Sequence, residues 1–81
     1  MSSFFSKHPT RFPLHADTSF TLDAEFDYPS TIYVGTEGSL TVVTASGETV
    51  TFVMTAGNAV PVLVNQVKSA GLTASDLVRV W

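Results

Sequence analysis

The residues able to do chemistry in this 81-residue chain are few and stand apart. Its two histidines, His8 and His15, lie near the N-terminus with no clustered carboxylates beside them. A zinc site takes three or four ligands, and a chain with no cysteine and only two imidazoles offers no such set. Asp23, Glu25 and Asp27 alternate, which would put three carboxylates on one side of an extended segment, and oxygen-rich patches can hold calcium. The calcium-loop pattern of acids, a central glycine and a closing glutamate is absent, however, so the triplet reads as a solvated face or a partner for basic segments. The serines sit in no nucleophile-elbow pattern. Gly35-Thr-Glu-Gly38 is too short to cradle a phosphate and lies between strands, so both glycines read as turn residues. The expectation is therefore a protein that is not an enzyme, with no catalytic residue, no cofactor and no metal.

Composition points to association instead. Only 14% of residues are charged against 44% hydrophobic, where roughly 25% charged is usual, so part of the surface reads as interface. A chain this short buries only about 60–65% of its unfolded surface and needs a supplement to its core. Disulfides are excluded by the lack of cysteine and metal by the lack of ligands, which leaves contact with other subunits. Charge is unevenly placed. Residues 1–16 carry Lys7 and Arg11 and no acid, whereas residues 17–81 carry seven acids against Lys68 and Arg79. An acidic body would be repelled by a duplex, which argues against nucleic acid. No apolar run approaches the ~18 residues of a membrane span, and the first residues lack the pattern of a signal peptide, so a soluble protein starting at Met1 is expected.

Eleven valines and eleven threonines favour pleated, half-buried surfaces over helix. Residues 1–16 show no periodicity, contain Pro9 and Pro13, and hold Phe4, Phe5 and Phe12 among Lys7 and Arg11. They read as an extended N-terminal arm that docks on an adjacent subunit. From residue 17 a β-domain follows, with strands expected at Ser19–Leu22, Thr31–Val34, Ser39–Thr44 and Thr49–Val53. The Ala45-Ser-Gly-Glu48 turn should make the last two a hairpin, with Leu40, Val42, Val50 and Phe52 sharing its core face. In the run from Ala59 to Val67, Pro61 cannot donate to a ladder, and the slip in phase between Val64 and Val67 predicts an extra residue near Asn65-Gln66. Asp76–Trp81 closes the chain as a strand, and Trp81 should be held in a core or an interface. The fold class expected is all-β, a small antiparallel sandwich or barrel of about six to seven strands.

Tyr33-Val-Gly35, Gly38-Ser-Leu-Thr-Val-Val-Thr44, Gly47-Glu-Thr-Val-Thr-Phe52, Ala56-Gly57, Val60-Pro-Val62, Val64-Asn-Gln-Val67 and Ala70-Gly-Leu-Thr-Ala-Ser-Asp-Leu-Val-Arg-Val-Trp81 together resemble the spike base proteins of tailed phages and gene transfer agents. The resemblance covers about the last fifty residues and is one of strands and turns. Leu72 stands where that family often has threonine, and the Phe-rich arm has no counterpart in the resemblance. It implies a virion protein, a homo-oligomeric ring on the particle whose partners are neighbouring capsid and spike or fibre proteins. Phe4, Phe5, Lys7, Arg11, Phe12 and Trp81 are the expected interface residues. Two other functions fit the same sequence: a capsid decoration or cement protein, and a carbohydrate- or receptor-binding β-module that stacks ligands on Tyr28, Tyr33 and Trp81.

Overall fold

The computed structural model describes residues 13–81. They form seven strands: β1 (Ala16–Asp17), β2 (Thr31–Thr36), β3 (Gly38–Thr44), β4 (Thr49–Met54), β5 (Asn58–Ala59), β6 (Val64–Lys68) and β7 (Ser75–Val80). No helix occurs among the described residues. Two antiparallel sheets result, one ordered β1-β7-β2-β5 and the other β4-β3-β6. The expected all-β fold is what the chain adopts.

Alternation makes the core. In β2, Ile32 and Val34 point inward and are fully buried, while Thr31 and Tyr33 point outward. In β3, Leu40, Val42 and Thr44 do the same from the facing sheet. Val60, Val64, Val67 and Ala74 complete the buried cluster, and a ring of half-buried side chains that includes Phe20, Leu22, Phe26, Phe52 and Leu77 packs around it. The β3–β4 hairpin forms in the expected register, with Leu40 opposite Phe52 and Val42 opposite Val50. On the other side of β3, Val43 pairs Gln66 and Thr44 pairs Val64, so Asn65 is one residue too many for the ladder. This bulge explains how Val64 and Val67 both face the core.

Three expectations differ from what forms. Ser19–Leu22 is not a strand: Phe20 and Leu22 do pack on the core, but the chain turns there, with Asp23 at φ 62°. Short polar side chains tolerate that left-handed region. Gly35 and Gly38 do not share a turn. Gly35 lies within β2, where a Cβ would come within 2.8 Å of the Asp76 backbone oxygen, and only Gly38 has a positive φ, at 154°. A single residue, Glu37, carries the chain from one sheet to the other. The apolar run from Ala59 is split, because Pro61 and Val62 form a bend between β5 and β6.

The sheet edges are treated unequally. The outer edge of β6 is covered by residues 23–30: Asp23 N–H donates to Val67 O, Phe26 N–H to Asn65 O, and Ser30 and Val64 exchange backbone bonds. β1 and β5 are edges only two residues long. β4 has six residues, and among the described residues no strand lies on its outer side.

Candidate functional site

The described residue that the sequence marked for an interface, Trp81, ends a column of stacked side chains. β7 alternates, so Leu77, Arg79 and Trp81 share one face and Val78 and Val80 the other. Arg79 pairs Ile32 of β2 and Asp17 of β1, which places a charge on the face that elsewhere carries the core. It is accommodated by flat neighbours. Its guanidinium carbon lies 4.3 Å from the centre of the Phe26 ring and 3.9 Å from that of Trp81, within the range where a cation is attracted to an aromatic face. Phe20 meets Phe26 edge-on, and His15 stacks on Trp81.

The edge of the guanidinium is satisfied as well. Nε donates to Ser30 Oγ at 2.7 Å, and Nη2 to Asp27 Oδ1 at 2.7 Å and to the Tyr28 carbonyl at 3.2 Å. Ser30, itself fully buried, donates to the Tyr28 carbonyl. Leu14 and His15 N–H both donate to Trp81 O, and Trp81 N–H donates to His15 O. Residues 14–16, the last part of the stretch read as an arm, are thus bonded to the end of β7 of their own chain. Phe4, Phe5, Lys7, Arg11 and Phe12 lie outside the described residues.

The acid triplet is dispersed. Asp27 holds Arg79, and Asp23 accepts from Ser69 N–H and from its hydroxyl. No group of three metal-capable side chains comes together among the described residues. These bonds set the acid behaviour. The Asp23 carboxyl is held below its usual range first by the Ser69 hydroxyl, that of Asp27 by the Arg79 guanidinium, and that of Asp17 by Ser19 N–H and hydroxyl. Carboxyls lowered in the folded state stabilise it above their unfolded values, and that contribution is lost as pH falls through the folded ones. The midpoint of urea unfolding should therefore start to drop below about pH 4. Asp23→Asn and Asp27→Asn should each flatten that acid limb in a pH series of urea titrations, and an unchanged limb would remove these bonds from the account.

Three surface features remain. The outer face of the first sheet carries Ala16, Thr31, Tyr33, Ala59, Val78 and Val80, a patch without charge. An open groove of about 520 Å³ runs beside β7, lined by Phe20, Leu22, Leu72, Ala74 and Leu77 with Asp76 at its rim. The β4 edge carries Val53, which is 85% exposed. Tyr33 and Trp81 belong to opposite faces of the first sheet, since Tyr33 pairs Val78 and Trp81 follows the parity of Arg79. They do not form one stacking platform for a sugar. Sequence reasoning missed the Arg79 column: a charge between Leu77 and Trp81 names neither the rings nor the acceptors, which come from residues 15–30.

No protein family model matches the chain, and no curated protein matches it. Among solved structures, it is similar to a chain in the "Capsid of native GTA particle computed with C5 symmetry", with a TM-score of 0.66 and 26% sequence identity over 85% of this chain and 83% of that one.

Proposed function

We propose that this chain is a virion structural protein that forms, as a homo-oligomer, the base on which a spike or fibre is mounted. The observation that carries the virion role is the likeness, over most of both chains, to a chain in a gene transfer agent capsid. The uncharged outer face of the first sheet fits a subunit that works by contact. Its partners are other copies of itself and neighbouring proteins of the particle. The finer role, the base of a spike, is supported by the strand and turn resemblance of residues 33–81. In this reading residues 1–12 provide the contact between copies.

Because residues 14–16 pair with β7, a truncation that tests the arm must stop at residue 12. The full chain should be a defined oligomer by light scattering at micromolar concentration. The chain lacking residues 1–12 should be a monomer with an unchanged β-sheet circular dichroism spectrum. A full chain that is monomeric would refute the assembly role, and a truncated one that still enters particles would refute the part given to residues 1–12.

A further inference from the structure

We propose that the groove beside β7 is a strand-addition site for an extended segment of a different protein of the particle, one that carries a lysine or arginine between two apolar residues. This rests on the reading of the chain as a virion subunit that works by contact, and it names the kind of partner.

β1 covers only part of the β7 edge. Its two residues pair Arg79 and Val80, and Leu77 lies beyond its end. His15 and Trp81 exchange backbone bonds, and antiparallel ladders alternate between hydrogen-bonded and non-bonded pairs. Trp81, Arg79 and Leu77 therefore turn their N–H and C=O away from β2. The far side of β2 gives the same phase: Val60 N–H donates to Ile32 O, so Ile32 faces β5 while Tyr33 faces Val78. The Leu77 N–H and C=O thus point to the groove, and no described residue bonds them. Two more residues of β1 would have covered them. The chain turns aside instead, where the Ser19 N–H and hydroxyl both donate to Asp17 Oδ1.

Beneath this bare edge the groove is apolar. Phe20 and Leu22, from the segment after Asp17, and Leu72 and Ala74, from the loop before β7, line it together with the inward side chain of Leu77. Water satisfies a bare peptide group but gains nothing from such a floor. An extended peptide uses both, with main-chain bonds along the edge and alternate side chains in the pocket.

The chemistry of the occupant follows from continuing the β1 register. A residue opposite Leu77 directs its side chain to the floor, and the next one, opposite Asp76, points outward. Asp76 is exposed and is the charged residue of the lining. It accepts from the Thr36 hydroxyl, and among the described residues no cation pairs with it. A lysine or arginine opposite it joins unlike charges across the ladder. The residue after that returns to the apolar side.

The described part of a second copy cannot supply this pattern. Its cations are Lys68 and Arg79. Arg79 is buried, and Lys68 lies in β6, which has β3 on one side and residues 23–30 on the other. Within the same chain, residues 18–22 form the wall of the groove, and the backbone enters β1 from the Trp81 end, away from Leu77.

The test is a titration of the full chain with the capped peptide acetyl-Thr-Val-Lys-Val-Thr-amide, followed by amide NMR and hydrogen exchange. Saturable shifts should center on Leu77 and its neighbours in the groove, and the Leu77 amide should exchange more slowly by about tenfold. Methylating the first valine nitrogen, or replacing the lysine with glutamate, should each weaken binding by about tenfold. Asp76→Asn keeps an acceptor for Thr36 and should bind the lysine and glutamate peptides alike. No saturable shift at Leu77 would overturn the proposal, and so would equal binding of both peptides to the unaltered chain. A Leu77 amide that already exchanges slowly without peptide would show the groove filled by residues 1–12 of the same or another copy, and would overturn it too. None of these results bears on the assembly role, which fails separately if light scattering finds the full chain monomeric.

Discussion

Replacing Arg79 with alanine is expected to lower the unfolding free energy by about 3 kcal/mol, as for other buried residues tied into a hydrogen-bonded network. A domain of this size has on the order of 5–10 kcal/mol in total, so the thermal midpoint should fall by roughly 15 °C. The ion pair is not the main reason. Asp27 is 70% exposed in that pair while Arg79 is 8% exposed, and a carboxylate that wet contributes little. The larger losses are on the buried side. Removing the guanidinium takes away the donor to buried Ser30 Oγ and the plane that fills the space between Phe26 and Trp81. Packing lost beneath an arginine can outweigh its charge.

The substitutions therefore rank in a defined order. Asp27→Asn should cost far less than Arg79→Ala. Arg79→Lys keeps the charge but neither the flat surface nor the fork of donors, and should recover less than half of the loss. Urea unfolding of the three variants at pH 7 measures this. If Asp27→Asn were as damaging as Arg79→Ala, the ion pair and not the stack would be holding the end of the chain.

What could be read in the sequence was what is encoded locally. The β3–β4 hairpin was legible because four turn residues separate two alternating runs, and the turn fixes the register. The bulge at Asn65 was legible because two valines at odd spacing cannot face one side of a regular strand. Phe20 and Leu22 alternate for a real reason, as both reach the core, but alternation reports which way side chains point and not whether the backbone is in a ladder. That distinction turned on Asp23, whose positive φ and bonds to Ser69 turn the chain. The order of strands had no local signal at all. β2 finds its partner in β7 at the far end of the chain, and the column around Arg79 draws on residues from His15 to Trp81, so neither could be seen before the ends were brought together. Gly35 shows the same limit: its freedom in φ was anticipated, yet its role is to let β7 come close at Asp76.

Gly38→Ala should be at least as damaging as Arg79→Ala, costing about 3 kcal/mol or more. A Cβ on Gly38 would stand 2.4 Å from Ala74 N and 2.6 Å from Ala74 Cα and from the Thr73 carbonyl carbon. These are backbone atoms and cannot swing aside. They belong to the loop that Ser39 holds: Thr73 and Ala74 N–H donate to Ser39 O, Ser39 N–H donates to Thr73 Oγ1, and Ser39 Oγ donates to Gly71 O. The added methyl would force that loop off β3 just where the chain passes between the sheets, while also placing a side chain at φ 154°. Gly47 separates the two effects, since its φ is 93° but a Cβ there would meet nothing within 4 Å. Gly47→Ala should then show the conformational strain alone, about 1 kcal/mol. Equal losses in urea unfolding would mean that strain in φ, and not the approach of the 73–74 backbone, is what reserves position 38 for glycine.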